Sequence, residues 1–596
     1  MAAMVDLRPD HKLLNLNFDH YQLSLDSVPV YEASLDDGID EAKPSETFSS
    51  HHAKLFGLHN HLIKDPWSND SVYFCDRHWN IGRVRIGKTG KPQTQDSLLI
   101  VPDAADLRIK PTRFNVSLAF PSKDLAVVCN GSDQFYLLDT GDRSGSAKWK
   151  VLFNTAVPVC GQAGTLLDCV MWVEGELRRI DCLLASVEEV DGETKEKHRS
   201  PWVMQIHWIT LNSVDGVKWN FERTRRLEGS RPFDHVSLER GGKAVNIIGP
   251  DVYRMVEDSL QPVQLGEDTG EENECEERTP LYTWSQTASD LTIQLTLPDI
   301  AVTKASLSVD ISSTRLELGI KNGLELLKGD LSARVEVDAC TWTLDSRRLE
   351  IFLQKLEEGM WPSALVGDTR GELVMTPEQL EAIHQKLAHL TSEDWNPNPD
   401  KGDKPFNSQM LEECDAVDGD GVVLSRIDGE THNVTHKAIA NNQYLFSVCT
   451  DPSLSPAVCL RHDVDGFLWQ TSTDSDTPTD KTLSTQCPWK HIGVLNAFGY
   501  VLASKTQRRF CTCAPDMSVA VVADAQRHVY LYRQNVSVLS PVRNRKTGQQ
   551  ITSVAKQQVL ALDCQPDIIL GLAVTNSKIF VATDQKVFVY VIKADE

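Results

Sequence analysis

TPLYTWSQTASDLTIQLTLP, Thr279 to Pro298, decides how this chain is read. Leu291, Ile293, Leu295 and Leu297 alternate with polar residues, which gives a strand one apolar side and one wet side. The same alternation recurs at Leu307, Val309 and Ile311, and at Leu316, Leu318 and Ile320. It recurs again at Ala333, Val335 and Val337, and at Leu349, Ile351 and Leu353. Asn322-Gly323, Lys328-Gly329-Asp330 and Asp345-Ser346 supply turns between these runs. Successive strands with one apolar face predict two antiparallel sheets pressed together, a small β-sandwich over 279–365.

Outward from this block the pattern changes on both sides. Residues 256–278 crowd acids with almost no large apolar residues and read as a solvated linker. After the sandwich, TPEQLEAIHQKLAHL offers Thr376 as N-cap, Pro377 at the first helical position and Gln379 to close a capping box. Leu380, Ile383, Leu387 and Leu390 form one stripe, so 376–391 is expected to be a short amphipathic helix. A second linker, 392–421, contains NPNPDKGDKP.

The long arms, 1–255 and 422–596, carry variations on one hairpin. Leu125–Cys129 precedes Phe135–Leu138, Val519–Ala523 precedes Val529–Tyr532, and Ile579–Thr583 precedes Val587–Val591. Asp181–Ala185 with Val203–Ile209 is a longer version. Repeated antiparallel units predict propeller blades, each sheet covering its neighbour's face. Because the units lie on both sides of the centre, one propeller of seven or eight blades, interrupted by an insertion, is expected. Its closure is expected to pair Leu13–Leu25 with strands near Ile579–Ile592. The fold class is therefore mainly β.

Bulk properties narrow the function. A chain of 596 residues is long enough for several domains. Its net charge of −24 repels phosphate backbones, so no direct nucleic-acid ligand is expected. No run reaches the length of apolar residues that spans a bilayer, and MAAMVDLRPDHK carries charges where a signal peptide is apolar. The 14 cysteines include no CxxC, in keeping with reduced thiols and a cytoplasmic and nuclear location. Cys511 and Cys513 read as strand residues.

The central block resembles the CS domain of the NudC family. The matching residues are Tyr282-x-Trp284-x-Gln286, then Asp290 to Pro298, Cys340-Thr-Trp342-Thr-Leu344, Arg348 to Lys355 and Met360-Trp361-Pro362. The resemblance implies a sandwich like that of the small heat-shock proteins. It also implies a co-chaperone role without nucleotide hydrolysis: holding client proteins, with links to the Hsp-ninety chaperone and the dynein pathway. Trp284 and Trp342, with Tyr282 and Gln286, are expected in the core. Arg347, Arg348 and Lys355 are the expected exposed contacts for an acidic partner. Trp361 is a further candidate contact at the domain's exit.

Motifs for chemistry are weak. Gly82-Arg-Val-Arg-Ile-Gly87-Lys88-Thr89 matches a phosphate loop literally, and nucleotide binding there is the alternative function. Gly90, Lys91 and Pro92 follow, however, and would break the helix such a loop requires. The Walker-B-like Phe135–Asp139 coincides with a repeat hairpin. His51, His52, His59 and His61 fit no zinc spacing and read as solvated loop residues. DAVDGDG at 415–421 lacks the order and the terminal Glu of a calcium loop. The expectation is a non-enzymatic scaffold with no cofactor or metal; a purely structural spacer is the other alternative.

Overall fold

In the computed structural model, residues 2–263, 282–374 and 422–593 are described, apart from short stretches, the longest at 157–163, 191–200, 298–303, 473–486 and 544–549. Contacts divide the chain into two units. One comprises Met1–Pro9, His20–Leu265 and Pro405–Glu596; the other comprises Asp10–Asp19 and Gly266–Lys404. The expected helix 376–391, the linker 392–421 and the DAVDGDG stretch lie outside the described residues. Val256, Glu257 and Asp258, assigned to a linker from composition, belong instead to a strand, Arg254–Asp258.

Among the described residues, the larger unit contains seven sheets. Sheet I joins Gly571–Val574, Lys578–Ala582 and Lys586–Val591 to Val30–Ser34. Sheet II spans Ile63–Lys64 to Pro92–Ile100, and sheet III spans Ser117–Ala119 to Lys150–Ala156. Sheet IV holds Thr165–Glu174, Leu177–Glu189, Trp202–Ser213 and Asn220–Gly229, with Arg254–Asp258 at its edge. Sheet V pairs His235–Leu238 and Ala244–Gly249 with Val422–Asp428 and Val434–Ala440. Sheet VI spans Tyr444–Val448 to Trp489–Leu495, and sheet VII spans Arg508–Cys513 to Gln550–Ala561.

The apolar runs of the sequence are explained by how these sheets pack. Strand side chains alternate between two faces, and here both faces are buried, so the strands read as nearly continuous hydrophobic segments. Val72 and Phe74 pack on Phe580 and Val589 of sheet I. Their neighbours Tyr73 and Cys75 pack on Val128 and Leu138 of sheet III. Val127 and Leu137 meet Ile180 and Leu184 of sheet IV, while Leu183 and Ile206 meet Val245 and Ile427 of sheet V. Sheets V and VI are joined by Trp489 Nε1 donating to Asn246 Oδ1 at 3.1 Å. Between VI and VII, Asn496 N donates to Gln534 Oε1 at 3.1 Å, and Phe498 stands edge-on to Tyr532. Val521 and Leu531 of sheet VII then meet Ile579 and Val581, so the order of neighbours returns to sheet I.

Two joins bring distant sequence together. Ala244–Gly249 pairs antiparallel with Val422–Asp428, so the chain resumes the sheet it left before the central block. Val30–Ser34 pairs antiparallel with Lys586–Val591. The expected closure is corrected in its register: within Leu13–Leu25, Tyr21–Leu23 pairs parallel with Ala555–Gln557, and it is the following strand that meets the C-terminus. Tyr21 decides this. It is fully buried, and its hydroxyl donates to Asn496 O and accepts from Gln534 Nε2 at 2.7 Å.

The histidine stretch also corrects the sequence reading. Ser50–Leu58 is a helix rather than a loop, and His51, His52 and His61 are buried. Phe48 stacks on His52 at 4.5 Å and closes on Phe56, so aromatic packing, not solvation, accounts for these residues.

The smaller unit is a two-sheet sandwich. A five-stranded sheet runs in the order Thr341–Asp345, Arg348–Gln354, Asp290–Thr296, Tyr282–Gln286, Gly371–Leu373. A three-stranded sheet holds Leu307–Ile311, Arg315–Ile320 and Glu325–Asp330. The alternating residues Leu291, Ile293, Leu295, Leu316, Leu318, Leu349, Ile351 and Leu353 form its core. The expected strand Ala333–Val337 is absent: only Val335 turns inward, through one bridge to Lys355, and Val337–Ala339 is a 3-10 turn. A single inward residue is too little to bind a strand face to the core.

Candidate functional site

The sandwich presents the candidate site, and its opening strand explains why the domain holds together. Tyr282, Trp284 and Gln286 point inward while Thr283 and Ser285 are half-buried on the other side. Gly371 lies so close over Tyr282 that a Cβ there would sit 2.2 Å from the ring; only glycine allows that strand to pair. Nothing in the alternation pattern marked Gly371–Leu373 as part of the sheet, because three residues are too few to show a period.

Gln286 is the polar centre of the core. Its Oε1 accepts from Lys355 Nζ at 2.9 Å and from the Trp361 amide at 2.8 Å, and its Nε2 donates to Trp361 O at 2.8 Å. Lys355 Nζ also donates to Thr287 O and Gly359 O, both at 2.6 Å. The ammonium lies 5.5 Å from the Trp361 ring centre. Burial pushes the Lys355 ammonium below its ordinary value, against a smaller opposing influence from Asp290. Lys355 and Trp361 are only 5% and 4% exposed, so both leave the set of expected surface contacts. The physical reason is that Lys355 follows the last core strand and bends inward to bond the chain's exit.

Arg347 and Arg348 are exposed. Arg347 Nη2 donates to Leu297 O at 3.0 Å, and Arg348 Nη2 donates to Gln294 Oε1, so both are positioned by the neighbouring strand. Arg348 begins the outward row Arg348, Glu350, Phe352 and Gln354, beside Thr292, Gln294 and Thr296. Gln294 Nε2 donates to Glu350 Oε1 at 3.0 Å. Phe352 is a half-buried aromatic in an otherwise polar face, between Thr292 and Thr341. Sequence reasoning passed over it because the outward register was read only for its charges. Trp342 is half-buried against the core, with Lys304 Nζ 5.9 Å from its ring.

The other sequence candidates lie in the larger unit. Asn80–Ile86 and Pro92–Ile100 form a hairpin across the phosphate-loop match, so a strand, not a helix, follows it; Lys88 and Thr89 lie outside the described residues. Gln134–Asp139 is a strand between two others. Cys511 and Cys513 lie on a strand, Arg508–Cys513. Among the described residues, no three His, Cys, Asp or Glu side chains gather as a metal site, and no helix is long and apolar enough to cross a membrane.

Comparison with known proteins matches the CS domain family to residues 280–355. The chain is 33% identical to NudC domain-containing protein 1 of Mus musculus, over 98% of each chain. It is 32% identical to the Xenopus tropicalis protein of the same name, again over 98% of each. With the nuclear movement protein nudc of Schizosaccharomyces pombe it shares 30% identity over 19% of this chain and 67% of that one. With a CS sandwich at its centre and similarity running nearly end to end, the chain belongs to the NudC domain-containing protein 1 family.

Proposed function

We propose that the protein is a non-catalytic scaffold and co-chaperone that holds client proteins. In this reading the seven sheets of the larger unit are the blades of one β-propeller, and the CS sandwich is a binding module inserted between two strands of a single blade. Each sheet packing on two neighbours, with the last returning to the first, supports the propeller. CS domains and the NudC family mediate protein–protein contacts, which supports client binding. Association with the Hsp-ninety chaperone and with dynein-pathway proteins, in the cytoplasm and nucleus, is part of the same proposal and rests on the family resemblance.

The observation that carries it is the division of labour in the sandwich. Its reactive-looking groups, Lys355 and Tyr282, are consumed inside the core, while Arg347, Arg348 and Phe352 sit on the accessible side. Such a face suits docking rather than turnover. The nucleotide alternative is disfavoured because the hairpin after Ile86 offers no helix N-terminus to a phosphate. The test is affinity purification with the full chain, with a form lacking residues 279–374, and with R347E/R348E. Partners captured by the full chain should be lost from the other two. Equal recovery from all three would make the sandwich a spacer.

A further inference from the structure

One edge strand of each sheet in the larger unit stands beside that of the next. Ser117–Ala119 neighbours Thr165–Glu174, which neighbours His235–Leu238. His235 stacks on Tyr444 with ring centres 5.8 Å apart, which brings in Tyr444–Val448. That strand lies beside Arg508–Cys513, then come Gly571–Val574 and Ile63–Lys64. These edges, in succession, line an inner space. Lys64, Asp168 and Cys449 show its character. Each keeps part of its surface accessible, yet burial is the largest influence on its ionisation. Groups in that position face an enclosed opening, neither the packed core nor the outer surface.

The charges on this opening are unbalanced, in a protein of net charge −24. Burial pushes the Lys64 ammonium below its ordinary value, opposed by Cys449, Cys513 and Asp65. Asp65 is committed elsewhere, accepting from Arg143 Nε at 2.8 Å and Nη2 at 3.1 Å. Arg240, just past the edge strand of sheet V, donates through Nε to Leu454 O at 2.8 Å. Among the described residues neither Lys64 nor Arg240 makes an ion pair. Asp168, on which Arg240 also acts, accepts instead from the Cys169 and Leu238 amides, both at 2.9 Å. Burial raises the Cys449 thiol, and Arg240 and then Lys64 oppose that rise. Two cations from sheets II and V therefore bear on one thiol of sheet VI. A cation held where burial disfavours it, with no counter-ion, gains from an incoming anion. A guanidinium fork beside an ammonium matches the oxygens of a phosphate group.

We infer that the inner opening of the larger unit is a binding site for a small phosphate-bearing anion, held between Lys64 and Arg240 beside Cys449. This rests on the ring of sheets in the reading above and is independent of the sandwich's docking face. The experiment titrates pyrophosphate, and separately inorganic phosphate, into the full chain by calorimetry, with ionic strength held constant by sodium chloride. The wild type should give saturable binding, and K64Q or R240Q should bind roughly tenfold more weakly or worse. R347E/R348E should bind as the wild type does. Saturating pyrophosphate should also slow alkylation of Cys449 by iodoacetamide, mapped by peptide mass. If R240Q loses its fold, K64Q alone decides under the same criteria. Absence of saturable binding in a folded wild type would overturn the inference without touching the client-binding reading. Wild-type affinity in K64Q, or an unchanged Cys449 reaction at saturation, would overturn it too. Tighter binding of a Glu-rich peptide than of pyrophosphate would overturn the phosphate assignment.

Discussion

Gln286 satisfies two donors at once, Lys355 Nζ and the Trp361 amide, inside a core that water does not reach. Replacing Gln286 by Ala leaves both without that acceptor. The expected loss is about 1–3 kcal/mol of sandwich stability, read as a lower urea midpoint by tryptophan fluorescence. R347E/R348E, on the exposed side, should move stability by no more than about 0.5 kcal/mol while reducing partner capture. The reverse ranking would show that the two groups had been assigned to the wrong roles. A second residue-scale clamp lies at the edge of sheet IV, just before the central block. Asp258 accepts from Arg223 Nη2 at 2.6 Å and contacts His432 Nε2 at 2.6 Å. Burial by itself would raise its carboxyl, but hydrogen bonds from Arg223, the Leu260 amide and His432, with the Arg223 charge, hold it well below the usual carboxylate range. A depressed folded-state pKa stabilises above the unfolded value, and that contribution is lost as pH falls through the folded one. Asp258→Asn should therefore lower the melting temperature at pH 7, and the difference from wild type should shrink in strong acid.

At the scale of elements, the hydrophobic runs were the most legible part of the sequence. Leu125–Cys129, Val519–Ala523 and Ile579–Thr583 were readable as strands because burial on both faces removes polar residues from them. Phe580→Ala opens the contact between sheets I and II and should cost about 3–5 kcal/mol in a chemical unfolding titration. An effect below 1 kcal/mol would mean that these faces are not joined as described. What the sequence hid were short or solitary contributors. Tyr21–Leu23 and Gly371–Leu373 are too brief for a period to emerge, and their places are set by Tyr21 hydrogen bonding and by the ring of Tyr282. The histidine stretch misled because its residue types resemble a loop, whereas Phe48, Phe56 and Phe114 draw it into a packed helix. Of the candidate site, the core motif was readable from its spacing. The inward turn of Lys355 was not, since it depends on where the chain leaves the sheet.

The whole molecule ties its two arms into one structure, and its stability should report that. His52, His61 and His207 are buried, and burial holds each at about 4 instead of the ordinary 6.5. Unfolded chains then bind more protons between these values, so stability is complete above pH 6.5 and declines as pH falls toward 4. The melting temperature should drop across that window, and His207→Gln should flatten the drop. The joins Val245↔Ile427 and Tyr31↔Val589 place strands from both arms in the same sheets, so neither arm can cover its own faces. The most direct measurement is sedimentation and thermal unfolding of residues 1–255 made alone. It should self-associate and show no single cooperative transition, whereas co-expression with residues 422–596 should yield a one-to-one particle that melts as one. A monomeric, cooperatively folded 1–255 would contradict an architecture shared between the two arms.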